Sequence, residues 1–339
     1  MRFGKPAIWI VSVGFLAGVG TVAMPFGFAQ AETKLRLATY VKENDIRVEG
    51  FKHFAELVAQ KTEGRVTVEV YPGGTLHPFK KAIDSLLGGV SDISPVVGGA
   101  VDKRLPCTNV THFMPAAIDL NRVIELDNAY NELMKDEFEK LGLVVVLPQN
   151  SSYDQRWYFR KELNDLEKMD GLLVRSFGPM VSNIIQDWGG KPVYMSPNEV
   201  YQGAERGVVS GATMGFGTYS AWSMWDVLPY MANVKMMYGQ NMYTMSKKKF
   251  DSLSASDQKS LLEAGQESAQ WLEPKYQAWI NAQVGRGIME NDMRVISFSQ
   301  DQRKALVASA LKGWSGKIEE ACGVERTKKL NALLNEFSG

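Results

Sequence analysis

The chain is poor in the residues that build reactive centres. It has two cysteines, Cys107 and Cys322, and three histidines, His53, His77 and His112, in 339 residues. Their scatter has no metal-ligand spacing, so no metal is expected. An excess of charge of one sign is missing too: 38 basic side chains face 38 acidic ones, which argues against a nucleic-acid partner. No G-x-S-x-G elbow, H-E-x-x-H motif or phosphate-cradling glycine loop occurs, and GFG at 215–217 lacks the flanks of a dinucleotide turn. None of these motifs supports an enzyme, and no cofactor is expected. Two cysteines in a large exported domain leave two options open, one bridge or two buried thiols.

What is present begins at the N-terminus. Arg2 and Lys5 precede an apolar stretch from Ala7, AIWIVSVGFLAGVG, which closes on AQA at Ala29–Ala31. A positive start, an apolar middle and small residues at the end predict a secretory signal over 1–31, cut after Ala31, with the mature chain in the periplasm. With no cysteine in this stretch, a lipid anchor at the cleavage site is excluded. Losing Arg2 and Lys5 leaves 36 basic against 38 acidic residues. Beyond the signal no apolar run is long enough to cross a bilayer.

The mature chain alternates strand and helix, the rhythm of an α/β fold with a largely parallel sheet. LRLATY (35–40), RVTVEVY (65–71), DISPVV (92–97), LVVVLP (143–148), a stretch around Arg156–Arg160, LLVR (172–175) and VVSGATM (208–214) read as strands. Phe51, Phe54, Leu57 and Val58 mark the stripe of a helix that stops near Gly64; others are predicted from Arg122 to about Leu141 and from Val181 to Trp188. Ser196-Pro197-Asn198-Glu199 spells a capping box, and Ser254 with Asp257 and Ser299 with Gln302 open further helices. The helix from Ser256 toward Val284 contains Pro274, a predicted kink. Length suggests two domains, and without a low-complexity linker they are expected to share strands.

Four landmarks then appear in order: FKHFAELVAQKTEGRVTVEVYPGG (51–74), LLGGVSDI (86–93), EKMDGLLVR (167–175) and EVYQGAERGVVSG (199–211). With the tail behind them, they resemble the periplasmic solute-binding proteins of tripartite ATP-independent (TRAP) transporters, the DctP-like family. The resemblance implies a two-lobed α/β clamp, a ligand cleft between the lobes and a long helix spanning both. Lobe I would comprise 32–153 plus about 241–280, and lobe II 154–240 plus about 281–339. It also implies a small carboxylate ligand, membrane subunits of a TRAP transporter as partners and a monomeric receptor. A ligand-sensing subunit of a signalling receptor is the alternative use of such a clamp.

In that family an arginine closing the GLxxR segment grips the ligand carboxylate, a role that falls on Arg175. Its place at a strand end fits, and its planar fork matches a carboxylate with two parallel hydrogen bonds. A second arginine about twenty residues upstream is assigned to Arg156, with Arg160 as rival; Arg156 could instead bridge Asp154 or Asp165. The family commonly reads VDGxExP where this chain has VSGATMGFG (209–217), placing Ser210 for an Asp and Met214 for a frequent Asn. That departure, with the aromatics nearby, favours a flat or apolar organic acid, aromatic or keto, over sugar acids and C4-dicarboxylates. Phe177, Met214, Trp157 and Tyr219 are the candidate wall residues of lobe II, Tyr40 that of lobe I. The Gly98-Gly99 pair could allow close backbone approach there or form a plain turn.

Overall fold

Alternation in TKLRLA and VTVEVY does what a period of two requires. Leu35 and Leu37 are fully buried, while Lys34 and Glu69 meet on the outer face at 2.9 Å. The computed structural model describes residues 1, 33–97, 101, 103–148, 154–239 and 242–338. The expected signal and the Gly98-Gly99 pair lie outside them.

Among the described residues the strands are β1 (Thr33–Ala38), β2 (Val66–Tyr71), β3 (Ile93–Val96), β4 (Met114–Pro115), β5 (Leu143–Leu147), β6 (Gln155–Phe159), β7 (Leu173–Ser176), β8 (Lys191–Tyr194), β9 (Gly211–Gly215), β10 (Tyr230–Asn233), β11 (Met237–Tyr238), β12 (Met242–Ser246) and β13 (Arg294–Ser297). The helices are α1 (Ile46–Lys61), α2 (Ala82–Leu87), α3 (Pro106–Thr111), α4 (Val123–Lys140), α5 (Pro179–Asp187), α6 (Val200–Glu205), α7 (Phe216–Ala221), α8 (Lys247–Asp251), α9 (Ala255–Glu290), α10 (Gln300–Lys312), α11 (Ser315–Cys322) and α12 (Val324–Glu336).

The strands make two main sheets. One runs β2-β1-β3-β12-β5, the other β13-β10-β6-β9-β7-β8; β4 and β11 form a small antiparallel pair. Each main sheet is mixed. β1 lies parallel to β2 and β3, and β7 parallel to β8 and β9, whereas β12 and β6 run against their neighbours. The first sheet takes its strands from 33–147 and then from 242–246. The second uses 155–233 and then 294–297, so the chain passes repeatedly between them.

Several helix starts are legible as caps. Asp45 accepts from the backbone of Arg47, and the box at Ser196 and Glu199 is closed in both directions. Ser254 and Ser299 cap α9 and α10. α9 extends to Glu290, beyond Val284, and continues through Pro274 although that residue supplies no amide proton. Its 36 residues make a rod of about 54 Å at ~1.5 Å per residue. Its first half packs on β5 so closely that a Cβ on Gly265 would sit 2.0 Å from the Val146 carbonyl oxygen. Ser268 Oγ donates to the Gly50 carbonyl of α1 at 2.8 Å. Further along, Tyr276 and Trp279 would each lie 3.3 Å from a Cβ on Gly217 in α7, and Ser220 Oγ donates to Gln283 at 2.8 Å. One helix thus touches both sheets' layers.

The two cysteines form one bridge, Cys107–Cys322, tying α3 to the end of α11 across 215 residues of sequence. Closing so long a loop removes much unfolded-chain entropy. The Cys107→Ser/Cys322→Ser double variant is expected to lose about 2–5 kcal/mol in denaturant unfolding. Gly265→Ala is expected to lose about 1–3 kcal/mol or more, since a backbone rather than a flexible side chain must give way. Unchanged melting midpoints would contradict each.

Candidate functional site

Ligands of open α/β sheets settle beyond the carboxyl ends of parallel strands. β7 and β9 end side by side at Arg175-Ser176 and Met214-Gly215, and the antiparallel β6 begins at that same edge with Gln155. From the other sheet's layer come Tyr40 after β1, Val97 after β3, Arg47 in the first turn of α1, and Phe79. Phe113, Phe177, Pro197 and Thr218 complete the wall. The space between them is about 440 Å³, including its opening to solvent.

Arg175 is 3% exposed, and its fork is already aimed. Nε donates to the Met195 carbonyl at 3.1 Å and Nη1 to the Thr213 carbonyl at 2.7 Å. The guanidinium carbon lies 4.8 Å from the centre of the Phe177 ring. Among the described residues no carboxylate lies within ion-pair distance of it, and Nη2 has no hydrogen-bond partner. Burial pushes its pKa down to about 10; Tyr194, Tyr40 and Glu199 push weakly the other way. That fall from the ordinary guanidinium value corresponds to roughly 3 kcal/mol. The sign is that of a base whose folded pKa is depressed: the cost falls on the charged form, is present throughout the neutral range and is relieved by an arriving anion.

Arg47, the second cation in the wall, is treated differently. Its Nε and Nη2 grip Asp45 at 2.9 and 2.5 Å, and Nη2 also donates to Thr218 Oγ1 at 3.0 Å. Burial opposes its charge, but Asp45 more than compensates, so its pKa is held well above the ordinary value. Arg47 was not legible as a site residue, because nothing in KENDIRVEG shows that the side chain turns inward.

The structure brings four expected residues to this cavity: Arg175, Phe177, Met214 and Tyr40. Phe177 packs edge-on against Phe113 at 4.4 Å, and Tyr40 edge-on against Phe79 at 5.0 Å. Three do not line it. Arg156 stands opposite Met214 in register, but its guanidinium turns toward β10. There it donates to Asp154 Oδ1 at 2.9 Å and to the Met231 sulfur at 3.2 Å, lying over Phe216. Trp157 shares the pleat face of Gln155 but sits two residues deeper, packed on Trp188 with no exposure. Tyr219 stacks on Tyr158 at 4.0 Å and donates to the Leu228 carbonyl. Arg160, the rival for the upstream position, donates to the Ala204 carbonyl. The place twenty residues before Arg175 belongs to Gln155, which is 4% exposed with its Oε1 unpartnered among the described residues.

Contacts reach across the cleft outside the cavity as well. Lys42 Nζ lies 3.8 Å from the Trp222 ring centre, Lys80 Nζ lies 4.4 Å from that of Tyr194, and Asn44 donates to the Ala221 carbonyl. Each cationic pair is worth about 0.5–1 kcal/mol at an exposed rim.

Comparison with known proteins agrees with this architecture. The fold matches DctP7 of Bordetella pertussis, an extracytoplasmic solute receptor binding pyroglutamic acid, with a TM-score of 0.79 and 20% identity over 89% of this chain and 99% of that one. A TRAP periplasmic solute-binding protein from Sulfitobacter sp. NAS-14.1, with bound β-D-galacturonate, gives 0.78 and 24% over 90% and 99%. In sequence, the 2,3-diketo-L-gulonate-binding periplasmic protein YiaO of Escherichia coli K12 is 22% identical over 285 residues, 84% of this chain and 86% of that protein. The profile of the bacterial extracellular solute-binding proteins, family 7, matches residues 37–319. The two sheets with a cleft between them are therefore those of a two-lobed binding protein, and the chain belongs to the DctP family of bacterial extracellular solute-binding proteins.

Proposed function

We propose that this receptor captures a small organic carboxylate outside the cytoplasm and hands it to the membrane subunits of a TRAP transporter. The observation that carries the reading is Arg175: a buried guanidinium, pre-aimed by two carbonyls and lining a cavity, with no carboxylate among the described residues within ion-pair distance. Charge-assisted hydrogen bonds contribute about 1.5–3 kcal/mol each. A micromolar complex needs about −8 kcal/mol, so a two-pronged grip supplies much of it. The relatives named above bind pyroglutamic acid, galacturonate and diketogulonate, all organic acids. Phe79, Phe113, Phe177, Val97 and Met214 stand around the opening. That composition supports a compact body with a flat or apolar face.

The sheets support lobe I as 32–153 plus about 241–280 and lobe II as 154–240 plus about 281–339. Wall residues come from both, so a ligand completes its contacts only when the lobes are together, and it favours that state by its differential affinity. The N-terminal sequence supports export with cleavage after Ala31.

Arg175→Ala is expected to weaken binding of a cognate carboxylate by a hundredfold or more in calorimetry, with the fold intact by circular dichroism. Arg175→Lys is expected to fail nearly as badly, because a point charge cannot reproduce the fork. Near-native affinity in either variant would remove the anchor. Affinity is expected to be level between about pH 6 and 9, where an ordinary ligand carboxylate is ionised, and to fall above about pH 10 as Arg175 loses its proton. A steep change near pH 7 would point to a different titrating group.

A further inference from the structure

We propose that Lys42 with Trp222 and Lys80 with Tyr194 act as two latches that hold the cleft shut for part of the time before any ligand arrives. The inference goes beyond the carboxylate reading and does not depend on it. It concerns how the two layers grip each other, not what lies between them.

The two lysines come from the layer of the first sheet, Lys42 after β1 and Lys80 just before α2. Their rings belong to the layer of the second, Trp222 just past α7 and Tyr194 at the end of β8. Lys42 Nζ stands 3.8 Å from one ring centre and Lys80 Nζ 4.4 Å from the other. Both lie well inside the roughly 6 Å reach of a cation over an aromatic face. The neighbouring acids in sequence are taken: Glu43 by Lys52, Asp45 by Arg47, and Asp84 by Lys81 and Arg104. Two hydrogen bonds run the same way across the cleft, from Asn44 Nδ2 to the Ala221 carbonyl at 3.4 Å and from Arg47 Nη2 to Thr218 Oγ1 at 3.0 Å.

Contacts of this kind exist only while the layers are together. Each is rooted beside the cavity wall: Lys80 follows Phe79, Lys42 comes two residues after Tyr40, and Trp222 one helical turn after Thr218. Tyr194 precedes Met195, whose carbonyl holds Arg175. A ring suits the task better than a carboxylate. An exposed ion pair is screened by salt and would leave the mouth neutral, whereas a cation over a ring keeps its charge. The broad face also tolerates sliding as the layers swing. One such pair favours the joined state by roughly two- to fivefold, and two together by about five- to thirtyfold. Neither pair lines the cavity, so the gain applies to the empty protein as well as to a loaded one. A ligand then has less of the closure to supply, and the same factor slows its escape.

The test is small-angle X-ray scattering of the full mature protein, refolded free of any co-purified ligand. The wild type is expected to scatter as a mixture of compact and extended forms. In Trp222→Leu/Tyr194→Leu the ratio of extended to compact is expected to rise about five- to thirtyfold. Lys42→Gln/Lys80→Gln, which alters one half-buried and one exposed side chain, is expected to show the same rise. Lys42→Arg/Lys80→Arg is expected to keep the wild-type profile, because a guanidinium also stacks on rings. An unchanged profile in the glutamine variant would overturn the proposal, whether or not the leucine variant folds. So would a wild type that is entirely extended without ligand.

Discussion

An arginine buried with no counter-charge among the described residues is the constraint around which this molecule is organised. Folding takes Arg175 out of water and gives it two carbonyls and an aromatic face but, among the described residues, no carboxylate. A protein optimised only for stability would have supplied one, as it does for Arg47 with Asp45 and for Arg156 with Asp154. Three buried arginines thus sit in the same region in two electrostatic conditions. The paired ones are structural, holding α1 to Thr218 and securing the start of β6. The third, Arg175, has no such pair among the described residues, and burial lowers its pKa, a deficit in its charged form that a nearby anion would relieve.

The fold makes that deficit sustainable. Arg175 is at the end of a strand bonded on both sides, between β8 and β9, so its backbone cannot relax outward to let the side chain reach solvent. Phe177, two residues on, covers it and is held in turn by Phe113. Phe113 belongs to the segment that follows α3, and α3 is pinned by the disulfide to the C-terminal helices. The wall of the cavity is therefore fastened at several points remote from it.

Much of the architecture could be read in the sequence because it depends on local rules. Period-two patterning gave β1 and β2, and serine caps gave the starts of α9 and α10. Arg175 was legible because a charge at the end of an apolar strand is conspicuous. The misplaced residues share a different cause. Arg156 lies on the right strand but one residue past the place that Gln155 occupies, and its side chain pairs with Asp154 instead of lining the cavity. Trp157 has the right pleat face but the wrong depth. Tyr219 was credited for its neighbourhood, although on α7 it faces Tyr158 and not the cavity. Gln155 escaped notice as a wall residue because a neutral amide carries no pattern. Arg47 and Phe113 come from segments far away in sequence, and long-range proximity leaves no mark on composition or spacing.

The long helix has a mechanical meaning. It is clamped to one layer where Gly265 meets Val146 and to the other where Tyr276 and Trp279 meet Gly217. Any swing of one layer against the other must be taken up as flexure of the rod between those clamps, and Pro274 lies in that interval with one rung missing from the hydrogen-bond ladder. The clamp therefore has a built-in spring whose softest point is set by a single imino acid.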